Sequence, residues 1–276
     1  MALIEHVWPW AQQPQEVARV DARWRERLVY ANPLDATCAN VVTGLIESHG
    51  STTVAPAPWG VSRAFDGSSS SHIVGTALRT NPLLRTYVFS QVRLGAGGGG
   101  YGRVFDRDGT DDALLFSSVL SKFQFTRKFT GPRGSWSFAP SDIGVAATFV
   151  IAHDSSSAAN VPRVWRDGSQ LAVTTDEAPV GTAISSGDTT SVFRVGNRVA
   201  GDRPWHGLLG HVYVFDDILT DEECAGLSAC PSVLWEPRHS VVPVSAGGSA
   251  VPDITFVGAD NILATSADYR VTLDFA

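Results

Sequence analysis

The stretch Gly144-Val-Ala-Ala-Thr-Phe-Val-Ile-Ala-His153 decides the fold class of this chain. Its apolar residues run almost without interruption, which is typical of a strand buried on both faces of a sandwich. Short apolar runs separated by turn residues recur on either side of it, and the 26 glycines and 15 prolines are spread between them. The pattern predicts an all-β antiparallel sandwich with further strands at residues 86–94, 113–118, 123–129, 163–166, 191–195 and 207–215.

One helix start stands out in this background of strands. Thr220 precedes three acidic residues at 221–223, which gives an N-cap followed by carboxylates where the helix dipole favours them. Gly226 and Pro231 limit the helix to about two turns. The sequence therefore predicts one short helix after the last body strand.

Composition divides the chain into three regions. Residues 1–40 form an N-terminal arm, 41–230 form the strand-and-turn body, and 231–276 form a connector that ends in a strand extension. Within this last region 253–257 is apolar, and 269–275 alternates apolar and polar side chains. Such alternation predicts a half-buried strand that needs a partner edge, its own or a neighbour's.

Charge and hydropathy exclude several classes of partner. The chain has 21 basic and 28 acidic residues, a formal net charge of -7 and no basic run, so we expect no nucleic-acid partner. It has no run of 18 apolar residues, so we expect no membrane span. Residues 1–14 lack the features of a signal peptide, which predicts a protein made in the cytoplasm without an export signal.

Cysteines and glycines add two smaller expectations. Cys38, Cys224 and Cys230 are too few for a disulfide framework, and Cys224 and Cys230 are either bridged or, as the missing export signal favours, a reduced pair. The four glycines at 97–100 predict a flexible hairpin tip that cannot pack by itself.

Four segments, in order along residues 50–230, resemble the laminin-G-like domain, a jelly roll of the concanavalin-A type. The last segment, with three parts, is the most specific, because it is similar to the family's final strands and closing helix. The resemblance implies two packed antiparallel sheets. The segments are Arg63-Ala-Phe-Asp-Gly67; residues 144–154; Val164-Trp-Arg-Asp-Gly-Ser-Gln-Leu171; and Phe193-Arg-Val-Gly-Asn197 with Trp205-His-Gly-Leu-Leu-Gly-His-Val-Tyr-Val-Phe215 and residues 218–223.

Local patterns agree with this resemblance. Asp66-Gly67 and Asp167-Gly168 are hairpin-type dipeptides flanked by apolar residues. In residues 211–215 the alternation places Val212 and Val214 on one face and the other three side chains on the opposite face.

The flanks are similar to the ends of laminin-G-containing proteins encoded by tailed bacteriophages. The similar residues are Trp10-Ala-Gln-Gln-Pro-Gln15, Asn32-Pro-Leu34, Pro252-Asp-Ile-Thr255 and residues 264–275. This resemblance implies a virion protein, either a head decoration or a tail or fibre component. Its partners would be capsid or tail subunits and further copies of itself. Release by lysis would bring such a protein outside the cell without an export signal.

The sequence gives no catalytic motif. Retaining glycosidases of this fold need two facing carboxylates on one strand, and none of the eight glutamates falls within a clear body strand. We therefore expect no catalytic residue and no enzyme, although a glycoside hydrolase remains an alternative on this fold.

One acidic segment raises the question of calcium, which many laminin-G domains bind. Asp106, Asp108, Asp111 and Asp112 lie within seven residues, but Ser117 stands where an EF-hand loop requires a bidentate glutamate. Two interpretations stay open: a solvated acidic turn, which we favour together with the absence of any cofactor, or a calcium site.

Loop tryptophans are the candidates for glycan contact, because sugars stack on exposed aromatic rings. Trp59, Trp136 and Trp205 stand beside turn residues, whereas Trp165 lies in a predicted strand and is expected in the core. Arg203 and His206 flank Trp205. Glycan contact, core packing and partner contact all remain open for Trp205, since the family packs an apolar residue inward there.

Large apolar and aromatic residues in the two arms are the candidates for assembly contacts. Either they fold back over the sandwich edge or they dock on other subunits, because a stable monomer seldom exposes several tryptophans. These residues are Trp8, Trp10, Trp24, Tyr269, Val271, Leu273 and Phe275.

The sequence thus predicts a non-enzymatic structural or binding protein of a phage particle, with the jelly roll displayed outward and the arms docked on neighbouring subunits. The alternative from another class is a carbohydrate-binding module that recognises a host-surface glycan.

Overall fold

The computed structural model describes residues 22–35, 38–74, 83–107, 112–184, 193–234, 253–257 and 270–274. The chain separates into two compact units, residues 1–236 and residues 237–276, and each is treated by itself below.

The described residues form twenty strands and two α-helices. The helices are α1 (Ala22–Arg25) and α2 (Asp221–Ala229), and single 3-10 turns occupy Gly98–Gly100 and Pro231–Leu234. The strands are β1 (Leu28–Asn32), β2 (Ala39–Asn40), β3 (Leu45–Ile46), β4 (Ser48–His49), β5 (Thr52–Ala57), β6 (Gly60–Asp66), β7 (Ile73–Val74), β8 (Leu84–Arg93), β9 (Arg103–Arg107), β10 (Asp112–Ser117), β11 (Lys122–Arg127), β12 (Gly134–Phe138), β13 (Ala146–Asp154), β14 (Arg163–Arg166), β15 (Ser169–Leu171), β16 (Thr174–Glu177), β17 (Phe193–Val195), β18 (His206–Phe215), β19 (Asp253–Val257) and β20 (Arg270–Asp274).

Two large antiparallel sheets make up most of the first unit, and β2 and β3 form a separate antiparallel pair. Sheet I has the order β15-β14-β13-β8-β18-β6-β5, and sheet II has the order β16-β12-β11-β10-β9-β17-β7-β4. Strand β18 lies at the centre of sheet I. It pairs with β8 on one side, and on the other side with β6 along its first half and β1 along its second. The predicted all-β antiparallel sandwich with one short helix of about two turns is confirmed.

The core lies between the two sheets. It joins inward side chains of sheet I, such as Phe89, Phe149 and Ile151, with those of sheet II, such as Phe105 and Phe123. The rings of Phe89 and Phe149 stack at 5.1 Å, and that of Phe123 meets Phe149 edge-on at 5.2 Å. Packing of large aromatic rings from both sheets makes this cluster the main source of apolar burial in the fold.

A second apolar cluster covers part of the outer face of sheet I. Val150, Tyr213 and Phe215 point outward from their strands and pack under α2, whose contribution is Cys224 and Leu227. Because β13 and β18 contribute to both clusters, burial on both faces is confirmed for residues 147–153, and so is the alternation of residues 211–215. The prediction is wrong for Gly144 and Val145, which are exposed before the strand begins.

Helix α2 is fixed by its first turn and by its last. Thr220 accepts a hydrogen bond from the Glu223 amide while Glu223 accepts one from the Thr220 amide, which is a complete capping box. At the other end the Ser228 hydroxyl accepts a hydrogen bond from the Gly168 amide at 2.9 Å. The second contact fastens the helix end to the tip of the β14–β15 hairpin.

The described part of residues 1–40 belongs to the sandwich rather than to a free arm. Strand β1 pairs with β18, and Trp24 is 2% exposed with its ring edge-on to Phe215 at 5.7 Å. Of the two interpretations of Trp24, folding back over the body is the one observed. Trp8 and Trp10 lie outside the described residues.

The described residues of the second unit, 253–257 and 270–274, form a strand pair. Strands β19 and β20 pair in parallel, with Ile254 opposite Val271 and Phe256 opposite Leu273. The terminal strand thus finds a partner edge within its own chain. Tyr269 and Phe275 lie outside the described residues.

The glycine run at 97–100 is not a freely projecting tip, and that expectation is corrected. A Cβ on Gly98 would lie 2.2 Å from Pro204 Cδ, and one on Gly97 would lie 2.4 Å from the Pro204 carbonyl oxygen. Glycine is needed here because the segment packs directly against the loop before β18.

Within the described residues, no helix is long and apolar enough to span a bilayer.

Candidate functional site: a groove on the outer face of sheet I

The three tryptophans predicted from the sequence to contact a glycan differ in their burial. Trp205 is fully buried and its ring stacks on Phe123 at 6.1 Å. Trp136 lies in β12 rather than in a loop, is 1% exposed and contacts His153 at 4.7 Å. These two rings form part of the core and are not available to stack on a sugar. Trp165 is buried in β14, as expected.

Trp59 is half-buried and borders a groove of about 350 Å³. The groove lies beside α2 on the outer face of sheet I. Its wall and floor are formed by Pro58, Trp59, Ala146, Ala147, Thr148, Asp167, His211, Ala229, Cys230, Pro231 and Ser232. This volume is at the lower end of the range for sites that take a small molecule.

A β-bulge builds the floor of the groove. In the β18–β8 ladder Leu209 pairs with Gln91 and Val212 with Phe89, so two residues of β18 face a single residue of β8, Ser90. The extra residue re-aims the backbone at 210–211, which is a common use of bulges next to binding sites. Ser90 in turn exchanges a hydrogen bond with the Thr148 hydroxyl at 2.9 Å. The floor is therefore a polar row beside the apolar cluster under α2.

His211 is the buried polar side chain of this floor. It is 8% exposed, and burial lowers its pKa to about 4, so the imidazole is neutral at physiological pH. Its Nδ1 is buried and has no hydrogen-bond partner among the described residues. A neutral imidazole has one donor nitrogen and one acceptor nitrogen, which matches the two capacities of a hydroxyl group.

The position of Trp59 depends on a glycine. A Cβ on Gly210 would lie 2.0 Å from Trp59 Nε1 and 2.4 Å from Cε2, so the five-membered ring of the indole lies directly against the Gly210 backbone. The β5–β6 hairpin carries Trp59 at its tip, next to Pro58 and Gly60. The bulge therefore makes room for the indole as well as presenting His211.

The opposite wall is the junction between α2 and the β14–β15 hairpin. Asp167 is exposed, and its Oδ1 accepts a hydrogen bond from the Thr148 amide at 2.8 Å. The three cysteines are free thiols; Cys224 is buried under the helix, whereas Cys230 is exposed at the groove, with its Sγ 3.0 Å from Ser232 Oγ. The wall thus offers a carboxylate, a hydroxyl and a thiol.

Arg203 and His206 lie outside the groove, Arg203 against the glycine run and His206 against Gly95. The Arg203 guanidinium donates to the Gly99 carbonyl at 3.1 Å and lies 5.0 Å from the centre of the Tyr101 ring. Arg203, Tyr101 and His206 are all half-buried. They form a separate loop surface, for which Trp205 provides the buried support.

The acidic segment is not a solvated turn at Asp106 and Asp112, because both carboxylates are buried in strands beside arginines. Asp112 is fully buried and accepts from Arg127 at 2.5 Å, Arg107 at 3.0 Å and Tyr87 at 2.8 Å. Burial opposes its ionisation, but the two arginines outweigh that effect and hold the Asp112 pKa well below its usual range.

Asp106 is also buried, 3.3 Å from Arg103. These two carboxylates therefore do not fit a cation site, while Asp108 and Asp111 lie outside the described residues. Within the described residues, no group of three His, Cys, Asp or Glu side chains is arranged to hold a metal ion.

One glutamate lies in a body strand, contrary to the expectation from the sequence. Glu177 ends β16, a body strand, but it is exposed and pairs with Arg133 at 3.3 Å. Glu47 is buried and accepts from the Tyr30 hydroxyl at 2.6 Å and the Asn32 amide at 2.9 Å. The expectation that no glutamate lies in a body strand is thus wrong for Glu177.

The sequence predicts Trp59 as a binding residue but not the residues that line the groove with it. His211 was assigned only to a strand face, because nothing in the local pattern signals a bulge apart from Gly210 itself. Asp167 was assigned only to a turn. The Asp-Gly dipeptide gave the hairpin correctly, with φ of 48° at Asp167 and 85° at Gly168, but not its neighbour in space.

No family model matches the chain, and no curated protein matches it in sequence. Solved structures do resemble it. The binding domain of Paraclostridial Mosquitocidal Protein 1 has a TM-score of 0.55 at 10% identity, covering 74% of this chain and 52% of that one. Domain 4 of AbnA, an extracellular arabinanase from Geobacillus stearothermophilus, solved with arabinotriose, has a TM-score of 0.50 at 13% identity, covering 73% and 98%.

A third similar structure is that of botulinum neurotoxin type C, whose cell entry is described as dependent upon interaction with two ganglioside molecules. Its TM-score is 0.52 at 9% identity, and the match covers 78% of this chain and 53% of that one. The chain spans about half the length of the mosquitocidal and neurotoxin chains. At these identities the likeness shows a shared β-sandwich fold.

Proposed function

We propose that the chain is a non-enzymatic carbohydrate-binding module and that the groove between Trp59 and the end of α2 holds the glycan. The observation that carries the proposal is the half-buried Trp59 indole, held against Gly210 at the rim of a groove floored by the neutral His211. An aromatic face beside a few fixed polar groups is the chemistry that recognises a sugar ring with its hydroxyls.

The similar structures support this proposal at the level of the fold. One was solved with arabinotriose, and another is described through its interaction with gangliosides. Arabinotriose and gangliosides both carry sugar rings, which is the ligand chemistry proposed for the groove.

A glycan array followed by calorimetric titration of the best-bound oligosaccharide tests the proposal. We expect Trp59→Ala to weaken binding about tenfold, since an aromatic contact of this kind contributes about 1.5 kcal/mol. The matched control is Tyr101→Ala, which removes a half-buried aromatic ring from the separate loop surface around Arg203. If Tyr101→Ala abolishes glycan binding and Trp59→Ala retains it, the binding site lies on that loop surface instead of in the groove.

The placement of this module on a phage particle is a finer hypothesis, and we propose it on the similarity of the flanking segments alone. In that role residues of the two termini dock on neighbouring virion subunits and the sandwich faces outward. Gold-labelled antibody on purified particles tests it: label on the head indicates decoration, label on the tail indicates host attachment, and particles without label rule out the virion role.

A further inference from the structure

We propose that the groove selects neutral, hydroxyl-rich saccharides and rejects acidic ones such as sialylated or uronic-acid glycans. This inference rests on the proposed function, because it assigns the class of glycan to the same groove.

The charge of the groove is the first argument. Among the described residues that line it, Asp167 is the only Asp, Glu, Lys or Arg side chain, and it is exposed. His211 adds no positive charge, since burial keeps its imidazole neutral. A carboxylate ligand would therefore meet a like charge with no cation in the groove to offset it.

The nearest cation in sequence does not change this balance. Arg166 precedes Asp167, but its Nη1 donates to the Pro140 carbonyl at 2.8 Å, and Arg166 is not among the groove residues. Arg163, on the same strand, pairs with Asp221 at the start of α2. Both guanidinium groups are thus engaged outside the groove.

The end of α2 is the second argument. Ala229, the last residue of the helix, and Cys230, its C-cap, both line the groove. The last carbonyls of a helix carry a partial negative charge and lack partners within the helix. The last turn of α2 contains no basic residue to neutralise them. Such a helix end favours hydroxyl donors and disfavours anions.

The hydrogen-bonding groups of the floor are the third argument. Neutral His211 offers a donor and an acceptor, and the Thr148 hydroxyl, which already shares a hydrogen bond with Ser90, offers its remaining capacity. A sugar hydroxyl satisfies both, whereas a carboxylate only accepts. His211 Nδ1 is buried and has no partner among the described residues, so the floor of the groove holds an unsatisfied polar atom in the free protein.

Matched pairs of glycans test the inference. The probes are lactose against 3′-sialyllactose, and neutral arabino- and galacto-oligosaccharides against galacturonate oligosaccharides, titrated into wild type and Asp167→Asn. Asparagine can keep the acceptor for the Thr148 amide and tolerates the positive φ of 48°. We expect the wild type to prefer the neutral member of each pair, and Asp167→Asn to narrow that preference about three- to tenfold.

Asp176→Asn on β16 of sheet II is the charge-matched control, and it should leave the preference unchanged. Stronger, Trp59-dependent binding of the acidic member by wild type would overturn the selectivity while leaving the carbohydrate function intact. If no glycan on the array binds in a way that Trp59→Ala weakens, the proposed function is overturned, and the selectivity with it.

Discussion

Acid sensitivity of the fold follows from His153, which is 2% exposed in the core between the sheets. Its imidazole contacts the rings of Trp136 and Phe125, and its pKa is lowered to about 4, first by burial and then by the charge of Arg127. The unfolded chain binds this proton with a pKa of about 6.5. Stability from neutral His153 is therefore fully present above pH 6.5 and is lost as the pH falls toward 4.

The magnitude follows from the two pKa values. At pH 5 the unfolded state is almost fully protonated at this site and the folded state is not, which costs about 2 kcal/mol relative to pH 7.5. By the same reasoning His211, with its pKa also about 4, adds a similar loss. Carboxylates contribute little in this window, because unfolded Asp and Glu protonate mainly below pH 5.

Urea unfolding followed by tryptophan fluorescence at pH 7.5 and pH 5.0 measures this loss. His153→Phe keeps an aromatic ring in the same pocket, and we expect it to lower the free energy of unfolding at pH 7.5. The loss of that free energy between pH 7.5 and pH 5.0 should then be about 2 kcal/mol smaller than in the wild type. His49→Gln, on the exposed strand β4, should keep the wild-type difference. An equal acid loss in His153→Phe and wild type would refute the reasoning.

Two further substitutions test the packing around the site. Gly210→Ala places a methyl group 2.0 Å from Trp59 Nε1 and should weaken glycan binding about as much as Trp59→Ala, about tenfold, with little change in the melting temperature; unchanged calorimetric affinity would contradict it. Trp205→Ala empties a fully buried position and should lower the free energy of unfolding by about 3–5 kcal/mol; a loss below about 1 kcal/mol in urea titration would show that Trp205 is not a core residue.

The sandwich could be predicted because its signals are local. Apolar runs gave the strands within a few residues, Asp167-Gly168 gave a hairpin, and Thr220 gave the start of α2. The pairing of the strands is harder to predict from the sequence, since it joins residues that are far apart along the chain. Nothing in residues 28–32 indicates that they pair with a strand almost two hundred residues later.

The candidate site was predicted only in part, for a related reason. Trp59 could be nominated from its neighbours in sequence, but Trp136 and Trp205 have similar neighbours and are buried. What distinguishes Trp59 is the Gly210 backbone beneath it, which belongs to another strand. His211 enters the groove through a bulge whose register depends on β8 as well as on β18.

The central place of β18 also determines when the protein can fold during its own synthesis. Strands β1, β6 and β8 all pair with residues 206–215, so the ribosome must translate residues 206–215 before all three acquire this neighbour. Until then the edge that each of these strands will offer to β18 stays without its partner in the nascent chain and can pair with a wrong strand. Sheet I is therefore completed only after residue 215 has been translated.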